Sequence, residues 1–350
     1  MATGAQVLVS ALEQAGVRVV FGLPGVHNLP AWEALRVSSI RLVGVRHEQA
    51  AAYAADGWAR ATGEVGVALV TTGPGAANTL GATGEAWASR SPVLVIATDI
   101  PRSLKRRGVV GGALHEATDQ AAMFAPVTKA THRGAGAIAA ALADALTAPT
   151  RPVFLEIPTD ELSAEVEPPA PAEPPAPRPV DVSAALELLA ERWRAVVWAG
   201  GGAQHAGREV ATLAERLGAP IFTTYTSRGL VGHHPLAVGL PPHLPAAGAL
   251  WEQADVVIAV GSDLDGMSTM NWRLPRPQKL LAINVDARDA TKNYMADVVV
   301  EGDARQALQA IAMSLPDAGA SPWADLARVR EDALAPLRAE HPDELQFLES

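Results

Sequence analysis

Twice along this chain, short and almost unbroken apolar runs alternate with longer alanine-rich stretches, and that rhythm leaves few architectures open. In the first half the apolar runs fall at 17–21, 40–45, 65–71, 93–98 and 152–157. An amphipathic helix opens the chain, and helical patterns follow at 28–35, 49–62, 78–90, 119–125 and 135–148. Strands without polar alternation must be buried on both faces, and the intervening helices provide the cover. The pattern predicts an α/β fold with a doubly wound, mainly parallel sheet.

The rhythm stops at 165–179, EVEPPAPAEPPAPRP. Proline at this density removes backbone donors and fixes φ, so it builds neither a helix nor an inner strand and favours an extended spacer. Apolar runs then resume at 195–199, 220–224, 256–260 and 279–285, with a helix over 208–217. We therefore expect residues 1–165 to form one domain and 166–180 a proline-rich linker. Residues 181–315 should form a second, Rossmann-like domain, and 316–350 a helical extension with a helix near 321–337. A chain of 350 residues suits two domains of ~150 residues each.

A net charge of -10, spread along the chain, argues against nucleic acid or an anionic membrane as a partner. The absence of cysteine excludes disulfides, thiolate metal sites and a thiol nucleophile. No apolar run is long enough to cross a bilayer, and the N-terminus lacks the basic start of a secretion signal. The expectation is a soluble, cytoplasmic protein.

Chemistry gathers at strand ends. Val45-Arg46-His47-Glu48 closes an apolar run, and an alanine-rich helix begins at once and stops at Gly63, a residue suited to a helix C-terminus. Ligands of parallel sheets bind at the carboxyl ends of strands, which puts Glu48 where a ligand-facing carboxylate belongs. The plain alternative is an acidic residue favoured by the helix dipole. Thr72-Gly73-Pro74-Gly75 is a strand-to-helix turn whose glycines admit a ligand close to the backbone, or simply a tight turn. Phe21-Gly22-Leu23-Pro24-Gly25 is a second such turn. His27 follows it, and His115 lies in Gly112-Ala113-Leu114-His115-Glu116. Imidazole titrates near neutrality and suits proton transfer, although either histidine could serve as a surface or capping group. Gly200-Gly201-Gly202 follows a strand and could admit a phosphate, but the dinucleotide fingerprint is incomplete.

Taken in order, these pieces resemble the thiamin-diphosphate-dependent family that includes acetolactate synthase, benzaldehyde lyase and the 2-oxo acid decarboxylases. The likeness rests on the Phe21 to Gly25 turn, Arg46-His47-Glu48 with its helix, and Thr72-Gly73-Pro74-Gly75-Ala76-Ala77-Asn78. Ser91-Pro92-Val93-Leu94-Val95-Ile96 and Pro152-Val153-Phe154-Leu155-Glu156-Ile157-Pro158 extend it. The second half resembles the family's central domain more loosely. This resemblance implies that Glu48 shares a proton with N1′ of the cofactor's aminopyrimidine. It implies that Thr72, Gly73, Pro74, Gly75 and Asn78 line the pyrimidine pocket, with Gly25 nearby, and that His27 faces the substrate. His115-Glu116 with Asp119-Gln120 is similar to the pattern in decarboxylases of guanidino-2-oxo acids, where acetolactate synthases carry a glutamine.

The reaction implied is decarboxylation or carboligation of a 2-oxo acid. The alternatives are a fragment of an acetolactate synthase large subunit, or a non-catalytic binding or regulatory protein on the same scaffold. The family binds magnesium and the diphosphate through a Gly-Asp-Gly motif in a third domain. Here Gly302-Asp303 is followed by Ala304, so no metal ligands are expected in this chain. The resemblance then implies a chain inactive alone, either truncated or one subunit of a split enzyme, with magnesium and the diphosphate-binding domain supplied from elsewhere. It also implies a homodimer or homotetramer with the face around Glu48 at the interface. FAD or ADP in the central domain is the less favoured expectation, given the incomplete glycine pattern.

Overall fold

The computed structural model describes residues 2–106, 108–167, 179–191, 193–316 and 320–349. They belong to two compact units, 1–176 and 177–350. Most of the proline-rich stretch expected as a linker, 168–178, lies outside the described residues.

The first unit runs β1 (Ala2–Thr3), α1 (Gly4–Gln14), β2 (Val19–Gly22), α2 (Leu29–Arg36), β3 (Arg41–Gly44), α3 (Glu48–Thr62), β4 (Gly66–Val70), α4 (Pro74–Ala77) and α5 (Leu80–Ala88). It continues with β5 (Val93–Asp99), α6 (Gln120–Phe124), β6 (Ala130–Arg133), α7 (Ile138–Leu146), β7 (Val153–Pro158), α8 (Thr159–Ser163) and β8 (Glu165–Val166). Among the described residues six strands form one parallel sheet in the order β3-β2-β4-β5-β7-β6, while β1 and β8 pair antiparallel.

Strand parity explains the two cores. Val67, Leu69, Leu94 and Ile96 pack with Leu8, Leu12, Ile138 and Leu142 on one face. Ala68, Val70, Val95 and Ala97 pack with Ala51, Ala55, Ala86 and Phe124 on the other. Both faces are covered, as unbroken apolar strands require. Phe124 and Phe154 stack with centroids 3.8 Å apart on that second face. Small residues let α3 lie close: a Cβ on Gly66 would overlap the backbone of Ala55. The helix ends where expected, at Gly63 with φ +75°.

Several details depart from the expected elements. The expected 78–90 helix appears as α5, preceded by a separate short helix α4, and β1, α8, β8 and β6 had not been anticipated; β6 is the one that joins the main sheet. It is an edge strand of four residues, Ala-Thr-His-Arg, whose exposed side gives it no apolar run to recognise.

From β2 the chain passes to β3 on one side and returns to β4 on the other. Connections therefore diverge above the carboxyl ends of β2 and β4, the switch point at which open parallel sheets bind ligands.

The second unit runs α9 (Ser183–Leu189), β9 (Ala195–Ala199), α10 (Gly207–Leu217), β10 (Ile221–Thr223), α11 (Pro245–Gln253), β11 (Val256–Val260) and β12 (Lys279–Asn284). It ends with α12 (Ala287–Thr291), β13 (Val298–Glu301), α13 (Ala304–Ser314), α14 (Leu326–Glu340) and α15 (Pro342–Glu349). Its described strands form a parallel sheet in the order β10-β9-β11-β12-β13. Trp198 and Trp251 meet edge to face at 5.2 Å in its core.

Candidate functional site

Glu48 is the first residue of α3, and His47 caps that helix by accepting the N–H of Gln49 at Nδ1, 3.2 Å away. The Glu48 side chain sinks into the fold and is 9% exposed. Its Oε2 accepts from Asn78 Nδ2 at 2.9 Å. Oε1 has no hydrogen-bond partner among the described residues and lies over Gly75, where a Cβ would stand 3.3 Å from it. With no donor from the protein, this oxygen is open to one from a bound ligand.

Two glycine turns border that oxygen. Thr72-Gly73-Pro74-Gly75 leaves β4, with Gly73 at φ +58° and Pro74 opening α4. A Cβ on Gly75 would come 2.6 Å from Thr71 Cγ2, and one on Gly25 would come 2.6 Å from Thr71 Oγ1. Thr71 thus fills the space between the turns, its buried hydroxyl unpartnered. Asn28 ties the other turn by accepting the Gly25 N–H at 2.8 Å and donating to the Leu23 carbonyl at 3.0 Å. Thr72 and Thr98 share a hydroxyl hydrogen bond of 3.1 Å.

His27 and His115 meet edge to face, with centroids 6.2 Å apart and planes at 89°. His27 is buried, and its Nδ1 has no hydrogen-bond partner. Burial first, and then the neighbouring His115, hold its pKa below the ordinary imidazole value, while Asp99 pulls upward. His115 is exposed and adopts φ +64°, a left-handed conformation few side chains take. Its backbone carbonyl occupies the place where a Cβ of Gly73 would be. Glu48 and Asn78 are thereby linked through Gly75, Thr71 and Gly25 on one side, and on the other His115 reaches Gly73 and carries His27 against its ring.

Residues that sequence reasoning passed over support the Gly73 turn. Gln120, named only as part of a motif, is buried and makes three hydrogen bonds. It accepts the Gly73 N–H at 2.6 Å and donates to the Thr98 carbonyl at 3.0 Å and to Glu156 Oε2 at 3.2 Å. Asp99, the last residue of β5, and Glu156, within β7, are also buried. A signal existed: an acidic residue inside or closing an apolar strand is seldom buried without a partner.

Comparison with known proteins follows the same outline. Residues 2–123 match the family described as thiamine pyrophosphate enzyme, N-terminal TPP binding domain, and 182–311 match its central domain. This chain belongs to the thiamin-diphosphate-dependent enzymes. It is 39% identical to a probable 2-ketoarginine decarboxylase of Pseudomonas aeruginosa, over 97% of this chain and 64% of that protein. It is 34% identical to a probable acetolactate synthase large subunit of Methanocaldococcus jannaschii, over 89% and 56%. The acetolactate synthase of Arthrospira platensis is 33% identical, over 87% and 57%. The chain thus spans less than two thirds of the length of these relatives.

As a member of the thiamin-diphosphate-dependent enzymes, the chain has a cradle suited to an aminopyrimidine. It combines an open carboxylate oxygen with a turn in which Gly73 and Gly75 lack a Cβ, and this donor set matches a ring that both gives and takes hydrogen bonds. In the second unit the glycines act differently. A Cβ on Gly200 would lie 2.5 Å from the Gly261 carbonyl, and Gly202 N–H donates to that carbonyl at 2.9 Å, so they join β9 to β11 backbone to backbone. A polar hollow of about 460 Å³ lies nearby, bordered by Gln204, His205, Thr226, Arg228 and Arg305. Among the described residues no group of three or more His, Asp or Glu is placed to hold a metal ion. No described helix is long and apolar enough to cross a membrane.

Proposed function

We propose that this chain supplies the pyrimidine-binding and central parts of an enzyme that decarboxylates a 2-oxo acid with thiamin diphosphate. The observation that carries the reading is Glu48, a buried carboxylate at the switch point of a parallel sheet, held by Asn78 through one oxygen and open at the other. Bound thiamin diphosphate supplies an electron sink for the bond broken as CO₂ leaves. Glu48 Oε1 gives a proton to, and takes it from, N1′ of the pyrimidine. Thr72, Gly73, Pro74 and Gly75 form the wall of the pocket, Asn78 keeps Glu48 aimed, and Gly25 lies across from Gly75. His27 passes a proton to and from the reacting substrate, and His115 stands ready beside it.

Decarboxylation is favoured over acetolactate synthesis by the paired imidazoles, 6.2 Å apart, which can return a proton to the product without a second substrate. Acetolactate synthase remains the second reading, supported by the relatives at 33% and 34% identity. Magnesium and the diphosphate are held outside these two units, by a further stretch of polypeptide or a separate subunit. The two units alone are then inactive. The central unit serves structure rather than FAD or ADP, since its glycines are used in packing β9 against β11. Exposed Val26, Leu29, Tyr53 and Leu114 on the first unit supply apolar surface for a homodimer or homotetramer in the cytoplasm.

The test supplies the chain with a diphosphate-binding part, thiamin diphosphate and magnesium, then measures CO₂ from a panel of 2-oxo acids. Release that depends on Glu48 supports the reading; release undiminished by Glu48→Gln removes it.

A further inference from the structure

Gln120 opens α6, and the residues that follow it, Ala121, Ala122, Met123 and Phe124, are all apolar. An amide 2% exposed in that setting is costly unless its hydrogen bonds are made within the protein. They are. Nε2 donates to the Thr98 carbonyl and to Glu156 Oε2, which uses both amide hydrogens, and Oε1 receives the Gly73 N–H. This orientation has no alternative, since only the oxygen can accept from that N–H and only the nitrogen can donate to that carbonyl.

These bonds close a ring across the ends of β4 and β5. Thr98 returns to Thr72 through their paired hydroxyls, and Thr72 leads by its own peptide bond to Gly73. A trans peptide points its N–H and its C=O to opposite sides. With the Gly73 N–H fixed on Gln120, the Thr72 carbonyl faces the other way and accepts the Gly75 N–H at 3.3 Å. Gly75 is the residue over which Glu48 Oε1 lies. Gly73 is also packed against the His115 carbonyl, and only four residues separate His115 from Gln120. Within that span Glu116 folds back on the N–H groups of Gly112 and Ala113, and Asp119 caps α6 through the Ala122 N–H. One short stretch of chain thus grips Gly73 at two points. An apolar side chain of the same length would fill the space, but it could not fix a peptide plane.

We propose that Gln120 is a positioning residue for the cofactor pocket: its amide fixes the Thr72–Gly73 peptide, and through it both the Gly75 turn beside Glu48 Oε1 and the stance of His115. The pocket then has its shape before thiamin diphosphate enters, and binding loses nothing to ordering that turn. This rests on the reading of Glu48 as the group that exchanges a proton with the bound cofactor.

The experiment compares the completed wild-type enzyme with Gln120→Met and Gln120→Glu by calorimetric titration with thiamin diphosphate and magnesium, from about pH 8 to about pH 5.5. Gln120→Met matches the length but takes no bond from Gly73, so affinity relative to the wild type should fall about 10-fold across that range. Gln120→Glu keeps an oxygen for Gly73 but, when ionised, has no hydrogen for the Thr98 carbonyl and confronts Glu156. It should match Gln120→Met near the alkaline end and come within about threefold of the wild type as acid restores the donor. The charged groups facing this position are Glu156 on β7, with Lys105, Arg133 and Asp99 around it, and all three proteins carry them. The ratio of variant to wild-type affinity at each pH therefore reads the substitution. A residue that only filled space would leave Gln120→Met at wild-type affinity and give Gln120→Glu a ratio flat with pH; either result overturns the proposal. Thermal unfolding shows whether Gln120→Met folds, and if it does not, the pH course of Gln120→Glu decides. Cofactor binding that depends on Gln120, without CO₂ from any 2-oxo acid, would remove the decarboxylase reading and leave this one standing.

Discussion

Asn78 holds Glu48 by one oxygen only: its Nδ2 donates to Oε2 at 2.9 Å and leaves Oε1 facing the Gly75 turn. On the proposed reading, the open oxygen is where the proton moves. Glu48→Gln keeps the size and the Asn78 contact but exchanges no proton, so turnover should fall by about 10²- to 10⁴-fold. Steady-state decarboxylation with a parallel thermal unfolding scan checks this, and the scan should show a folded variant. Asn78→Ala should cost less, roughly 10-fold, because it frees the carboxylate without removing it.

Gly73 should tolerate no side chain. Its φ of +58° disfavours an L-residue, and a Cβ there would overlap the carbonyl of His115. We expect Gly73→Ala to lower stability by about 1–3 kcal/mol in urea unfolding and to weaken cofactor binding as well. Gly57, with open space around its Cβ position, provides the control.

His27 gives the first unit a specific response to acid. Its folded pKa lies below the reference 6.5, because burial and His115 oppose the charge more than Asp99 favours it. The unfolded chain therefore takes up the proton first. Stability from this residue is complete above 6.5 and declines as pH falls below it toward the depressed folded value. Urea unfolding from pH 8 to 5 should show a steeper loss below 6.5 for the wild type than for His27→Gln. An NMR titration should place the His27 midpoint below that of an exposed histidine.

The stacked pair Phe124 and Phe154, both fully buried, anchors α6 to the sheet. Phe154→Ala should cost about 3–5 kcal/mol by opening a cavity beneath that short helix. Because α6 begins with Gln120, the variant should also loosen the Gly73 turn, which calorimetry of thiamin diphosphate binding by the completed enzyme would register as lower affinity.

Much of this was legible in the residues because burial on two faces writes itself as unbroken apolar runs. β9 and β11 appear with the bounds expected of them, and Glu48 stands out as an acid between a strand and an alanine helix. What stayed hidden depends on tertiary approach. Thr71 matters only because Gly25 and Gly75 close on it from opposite sides, which no local pattern records. Asp99 and Glu156 are distant in the chain and meet through the pairing of β5 with β7. The edge position of β6 lets half its side chains face water, which erased the apolar run by which the other strands were recognised.

The contact between Gly73 and the His115 carbonyl joins two parts that would otherwise be independent. No slack remains between the hairpin-tight turn and the imidazole's own backbone. A molecule that settles one therefore orients the other, and on the proposed reading a loaded pocket also fixes where His115 stands before any substrate arrives.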